Sequence, residues 1–227
     1  MLIGILQTGH MADELRSDMG DYADLFERLL AGQDFSFRTW NVVDMDFPDG
    51  PADADGWLIT GSKHGVYEDH PFIPPLEALI RDIRDAGRPL IGVCFGHQII
   101  AQALGGTVEK FARGWSVGRR SYDWQGEEIA LNAWHQDQVT RPPEDARILA
   151  SNAFCDNAAM LIGDSVFTVQ AHPEFSDDVV AGLAKHRGPG VVPDDLLFAA
   201  TESLGHGNDN DRLAAMMGLF FRERRLA

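Results

Sequence analysis

Pro89-Leu90-Ile91-Gly92-Val93-Cys94-Phe95-Gly96-His97-Gln98 is the stretch on which the reading of this chain turns. It begins as a short apolar run, the pattern of a buried strand. It then meets a cysteine flanked two residues away on either side by Gly92 and Gly96, and continues into His97 to Leu104, read as a short helix ended by Gly105-Gly106. A nucleophile bracketed by glycines at a strand-to-helix junction is the arrangement in which a sharp turn lifts the reactive atom above the sheet, while small neighbours let the backbone pass closely. The helix behind it directs free N–H groups and the positive end of its dipole at the sulfur, which favours the thiolate. Phe95 is then placed to donate its backbone N–H to an oxyanion. The competing reading is a buried structural cysteine. The glycines and the strand–turn–helix context favour the nucleophile. Cys155 has neither feature and reads as structural.

On either side, apolar runs alternate with segments of helical period. Leu2 to Leu6 reads as a buried strand, and Tyr22, Leu25, Phe26, Leu29 and Leu30 form one helical stripe. Phe35 to Val43 alternates like a strand, and Trp57 to Thr60 is a further short apolar run. Pro74 and Pro75 then open a helix whose buried face is Leu76, Leu79, Ile80 and Ile83, with Gly87 at its end. Strand and helix in this alternation imply an α/β chain with an open, mostly parallel sheet flanked by helices on both faces. Between about Thr107 and Ala150 the pattern changes to strand-like runs (Ser116 to Tyr122, Glu128 to Ala133) separated by turn residues, which suggests antiparallel additions. Val166 to Gln170 returns as a strand, and helical period resumes after Ser176. Past a break at Gly188-Pro189-Gly190, Asp194 to Leu204 and Asp211 to Arg224 read as two helices.

Just beyond the strand at Val166 to Gln170 stand His172, Pro173 and Glu174. Active sites of open α/β sheets collect at such strand ends. In extended backbone the side chains of His172 and Glu174 leave in similar directions, so the carboxylate can hold one imidazole nitrogen while the other faces the thiol. Pro173 disfavours helix at His172. The other histidines His10, His64, His70, His186 and His206 read as surface or core residues. No His/Cys/Asp/Glu set has metal-ligand spacing, so no metal and no cofactor are expected.

The 227 residues suit one large domain or one domain with a short appendage. The formal charge of −16, from 35 acidic and 19 basic residues, argues against nucleic acid or an anionic membrane as the main partner. No basic leader precedes the short apolar run at the N-terminus, and no apolar stretch approaches the roughly 20 residues that span a bilayer. Two distant cysteines give no disulfide framework. A cytoplasmic location is the expectation.

Taken together, these segments resemble the class I glutamine amidotransferases. That family carries a G-x-C-x-G-H-Q nucleophile segment and a later H-P-E segment. Here they stand as Gly92 to Gln98 and His172-Pro173-Glu174, in the family's order. The resemblance spans residues 1–187 as the catalytic domain and leaves residues 188–227 as a C-terminal helical extension. It implies a flavodoxin-like sheet and a triad of Cys94, His172 and Glu174. It also implies a reaction in which the thiolate attacks the side-chain amide of glutamine, ammonia leaves, and water hydrolyses the γ-glutamyl thioester. By the same resemblance, Gly61 lies in the loop that supplies a second oxyanion N–H beside that of Phe95. Gln98 takes the position that contacts bound glutamine. Trp134-His135-Gln136-Asp137 lines the pocket for its α-amino and carboxylate groups. Two departures stand out. Ser62-Lys63-His64 replaces the glycine- and proline-rich oxyanion loop of many members. No S-G-G-x-D-S-like pyrophosphatase loop or G-x-x-x-x-G-K-[ST] phosphate loop is present, so no acceptor domain is recognisable.

Three functions remain open at this point, beside a generic α/β hydrolase with a cysteine nucleophile, which the His172-Pro173-Glu174 segment disfavours. One is a free-standing glutaminase or amidotransferase subunit, similar to the amidotransferase domain of GMP synthase, that passes ammonia to a synthetase partner in trans. A second is a γ-glutamyl peptidase: Trp134 to Val139 and Cys155-Asp156 are similar to the plant enzymes that act on glutathione-type amides. The third is a non-catalytic binding or regulatory module, against which the intact Cys–His–Glu set speaks. The small-molecule substrate in the first two is a γ-glutamyl compound. The extension would cover a sheet edge or join a homodimer.

Overall fold

A computed structural model describes residues 1–226. Strand β1 (Leu2–Leu6) leads through α1 (Asp13–Met19) and α2 (Tyr22–Leu29) to β2 (Ser36–Trp40) and β3 (Gly56–Ile59). Helix α3 (Ile73–Asp85), β4 (Leu90–Val93) and α4 (Phe95–Ala103) follow. Next come β5 (Thr107–Lys110), β6 (Ser116–Trp124), β7 (Glu127–His135), β8 (Asp137–Arg141), β9 (Ala146–Ser151), β10 (Ala159–Ile162) and β11 (Val166–Val169). Three helices close the chain: α5 (Asp177–His186), α6 (Asp194–Glu202) and α7 (Asn210–Glu223).

The main sheet has nine strands in the order β2-β1-β3-β4-β11-β10-β9-β6-β7. From β2 to β11 the neighbours pair in parallel. From β11 to β7 they pair antiparallel. A separate ribbon joins β5 to β8. This is the α/β architecture implied by the alternation of apolar runs, with the antiparallel additions in the middle of the chain.

Alternation along the central strands divides the core in two. Ile3, Ile5, Leu58, Ile91, Val93, Phe167 and Val169 face one side, where Phe26 of α2 and Leu213, Met217, Phe220 and Phe221 of α7 cover them. Trp57, Ile59, Leu90 and Val166 face the other, against Leu76, Ile80 and Ile83 of α3 and Ile99 and Ile100 of α4. Each such large side chain contributes about 1.5–3 kcal/mol by leaving water. The four from α7 are each no more than 2% exposed, so α7 is part of this core.

Some boundaries differ from the sequence reading. The alternating run from Phe35 is a strand only over Ser36–Trp40, and Val42–Asp44 turns as a short 3-10 helix beneath the sheet. Helix α4 begins at Phe95, directly after the nucleophile candidate, rather than at His97. Helix α3 has a proline in its first turn and ends before Gly87, whose φ is +63°. Among the described residues no helix is long and apolar enough to cross a membrane.

Candidate active site

The strand order places three loops side by side. Strands β3, β4 and β11 are adjacent and parallel, so the residues just past their C-terminal ends share one edge of the sheet. Gly61 follows β3, Cys94 follows β4, and His172 with Glu174 follows β11.

Cys94 is the single residue between β4 and α4 and sits at φ +53° and ψ −104°, a conformation that side chains rarely adopt. Its N–H donates to the Val169 carbonyl at 2.9 Å. The two flanking glycines are needed for space. A Cβ on Gly92 would lie 2.5 Å from the Gly96 carbonyl oxygen, and one on Gly96 would run into the carbonyl oxygen of Ile59. That approach lets the Gly96 N–H donate to the Thr60 carbonyl at 3.1 Å, which ties the first turn of α4 to the end of β3. The ring of Phe95 turns away into the core against Phe72, with centroids 6.0 Å apart. Its backbone opens α4, where first-turn N–H groups have no partner within the helix.

His172 is buried, and its backbone N–H donates to the Asn132 carbonyl on β7 at 2.8 Å. The Asn132 side chain in turn donates to the Phe175 carbonyl at 3.0 Å. The imidazole lies flat on the Phe175 ring, with centroids 3.9 Å apart and planes 5° apart. Its Nδ1 is 2.6 Å from Oε1 of the buried Glu174. Burial opposes protonation of this ring. The Glu174 carboxylate and the nearby Cys94 overcome that opposition and lift His172 to about 10. The imidazolium is thus the favoured form beside the cysteine. A Cβ on Gly61 would stand 2.9 Å from His172 Cε1 and 3.7 Å from Cys94 Cβ, so Gly61 lies close to both groups.

The remaining sequence candidates form a second rank. The buried Gln98 amide donates to the Asp137 carbonyl at 2.9 Å and to Gln170 Oε1 at 3.1 Å. His135 Nδ1 meets the same Asp137 carbonyl at 3.2 Å. A carbonyl only accepts, so this nitrogen carries the proton and Nε2 keeps its lone pair. Burial and the neighbouring His172 hold His135 down to about 3, hence neutral. Its Nε2 has no hydrogen-bond partner among the described residues. Trp134 is half-buried on β7 and packs with Phe175 and Val117 in a smaller cluster. Cys155 is 1% exposed, and burial pushes its thiol up to about 12, which makes it inert at neutral pH.

Residues 35–180 match the family model "Glutamine amidotransferase class-I". The chain belongs to the class I glutamine amidotransferases. A glutamine amidotransferase-like protein of Schizosaccharomyces pombe is 31% identical across 97% of this chain and 98% of its own. Gamma-glutamyl peptidase 4 of Arabidopsis thaliana is 30% identical across 71% of this chain and 70% of its own. The fold is shared with the crystal structure of a glutamine amido transferase from Methylobacillus flagellatus, at a TM-score of 0.76 and 23% identity over 98% of this chain and 92% of that one.

Several residues around this amidotransferase site escaped the sequence reading. Thr60 Oγ1 donates to the Gly61 carbonyl at 3.0 Å, and Thr8 Oγ1 lies 3.0 Å from the Thr60 carbonyl and 3.1 Å from the Gly61 carbonyl, which share its one proton. In a planar trans peptide this pins the Ser62 N–H to the opposite direction. Tyr22 lies near enough to Cys94 and Glu174 that they add to burial in raising its hydroxyl. Thr8 and Thr60 at least carried a signal, as hydroxyls at the ends of apolar strands. Tyr22 carried none, because it also completes a helical stripe.

Proposed function

We propose that this amidotransferase hydrolyses a γ-glutamyl amide through Cys94, His172 and Glu174. The observation that carries the proposal is the buried hydrogen bond of His172 to Glu174, at the place where His172 and Cys94 both lie close to Gly61. Cys94 attacks the γ-carbonyl carbon as thiolate while His172 holds the proton. The tetrahedral oxyanion is taken by backbone N–H groups of Phe95 and of the Gly61–Ser62 loop, whose direction the Thr8 and Thr60 hydroxyls fix. His172 gives its proton to the leaving nitrogen, the amine or ammonia departs, and a γ-glutamyl thioester remains on Cys94. Water, deprotonated by His172, then releases glutamate. Glu174 keeps the imidazole oriented throughout and favours its return to the charged form after each transfer. Neutral His135, with its acceptor nitrogen, suits the α-ammonium of the γ-glutamyl group, and Gln98 and Trp134 are assigned to the same pocket by the family resemblance alone.

With glutamine as substrate the leaving group is ammonia, and a synthetase partner in trans would receive it. A second reading, γ-glutamyl peptidase, is favoured by the Arabidopsis relative that shares most of both chains. The chemistry at Cys94 is the same, and only the leaving amine differs. The test is release of glutamate from L-glutamine and, separately, from glutathione by the purified chain, with a Cys94→Ala control. Cys94-dependent release from glutathione with little from glutamine favours the peptidase, and the reverse favours the amidotransferase. Turnover that survives in Cys94→Ala removes the cysteine from the mechanism.

A further inference from the structure

The loop from Gly61 to Phe72 gathers three side chains that the reaction above does not use. His64, Glu68 and His70 each present a ligating atom, and these atoms all lie within 4.8 Å of one another. His70 Nε2 is 2.7 Å and His64 Nδ1 3.7 Å from the same Glu68 oxygen, Oε2. The two imidazole centroids are 4.1 Å apart, and both rings lean on Phe72, at 5.9 and 5.8 Å. The geometry points to a divalent transition-metal site, of zinc type, formed by His64, Glu68 and His70.

Bond lengths allow it. A tetrahedral zinc with ligands at about 2.1 Å sets them about 3.4 Å apart, so the three atoms need only small side-chain rotations to close on an ion. The donor set selects the class of metal. Two imidazoles and one carboxylate suit zinc and its borderline neighbours, whereas magnesium and calcium take oxygen ligands. With three protein ligands, all partly exposed, the fourth position faces water.

The supporting contacts give the site rigidity. The Gln102 side chain on α4 donates to the Val66 carbonyl at 2.8 Å and anchors the middle of the loop. Within the loop the Glu68 N–H donates to the Gly65 carbonyl and the His70 N–H to that of Glu68. At its start the His64 N–H donates to Ser62 Oγ, which itself donates to the Thr8 carbonyl at 2.8 Å. An ion held by His64, Glu68 and His70 would therefore cross-link both ends of the segment that leaves Gly61. It would stiffen the oxyanion loop without entering the Cys94 site.

The test uses untagged full-length protein carrying Cys94→Ala, so that the active-site thiol cannot bind metal. Zinc is titrated in competition with a chromophoric chelator, with cobalt(II) absorption as a second probe. The expected result is one ion per chain, with affinity falling about 100-fold or more in His64→Gln and in His70→Gln, since even loss of a supporting partner costs roughly 10–100-fold. Zinc at a hundredfold excess over its Kd should also raise Tm by roughly 5 °C in the Cys94→Ala chain and leave both histidine variants unmoved. Circular dichroism establishes that the variants fold. Absence of binding at 100 μM zinc, or binding that persists in both variants, overturns the proposal. Neither result depends on turnover of any substrate.

Discussion

Replacing Glu174 by glutamine removes one charge and keeps the shape of the side chain and an acceptor oxygen for His172. The magnitude follows from the geometry. Oε1 is 2.6 Å from Nδ1, and both side chains are almost wholly buried. Two unit charges about 4 Å apart, centre to centre, at an effective dielectric of about 20 attract by ~4 kcal/mol, which is about 3 units of pKa. His172 stands at about 10 with Glu174 in place, so the variant should bring it to about 7. The proposed reaction needs the imidazolium, both to accompany the thiolate and to protonate the leaving nitrogen. Activity is then lost as pH rises through the value of His172. Measured as kcat/KM from about pH 6 to 10.5, the alkaline limb should lie near 10 in the parent and near 7–8 in Glu174→Gln. This limb reports Cys94 and His172 as a coupled pair. At pH 6 the variant should stay within about tenfold of the parent, because orienting a base is worth less than being one. At pH 9 the protonated fraction drops from about nine-tenths to about one-hundredth, so a further loss of roughly 100-fold is expected. Superimposable alkaline limbs in parent and variant would refute the view that Glu174 holds the charge on His172.

Three other changes probe the same site. Cys94→Ser should reduce turnover by at least about 10⁴-fold with Tm nearly unchanged, read by initial rates and a thermal melt; retained turnover would exclude the thiolate as nucleophile. Gly61→Ala places a methyl 2.9 Å from His172 Cε1 and should cost about 10–100-fold in kcat through displacement of the imidazole, so an unchanged kcat would mean that the ring has room to yield. His172 lies above its unfolded value near 6.5, so its proton stabilises the folded chain fully below about pH 6.5 and that contribution disappears as pH rises toward 10. Tm should accordingly fall across this window in the parent and fall less in His172→Gln, and equal slopes would count against the shift.

The inner parallel strands were legible because they are buried on both faces and read as uninterrupted apolar runs: Leu2–Leu6 and Leu90–Val93 leave no alternative period. The antiparallel half was less so. Thr107–Lys110 and Asp137–Arg141 pair with each other across a distant stretch of chain, and both carry polar residues on an exposed side. Neither run identifies its partner by pattern. Helix α1 was missed for a related reason: Leu15 is its one buried residue, and a helix with so narrow an apolar contact shows no stripe. At the site, the residues with a fixed spacing to a strand end were legible. The proximity of His64, Glu68 and His70 was not legible, since an irregular turn brings them together and no regular period relates their positions.

The position of Cys94 also explains why the motif around it has so little freedom. A non-glycine residue at φ +53° costs roughly 1–3 kcal/mol, and such strain persists only where the surroundings over-determine the backbone. Here they do so from two sides. The Cys94 N–H is held by Val169 on β11, and the Gly96 N–H by Thr60 at the end of β3. The same two neighbours carry the other groups of the proposed mechanism, since β11 leads into His172 and Thr60 precedes Gly61. The bonds that impose the strained turn therefore also set the distances from sulfur to imidazole and from sulfur to the oxyanion loop. Packing requires a glycine at 96, since any side chain there would meet the Ile59 carbonyl and push α4 from β3; in the proposed mechanism the same shift would separate Cys94 from Gly61.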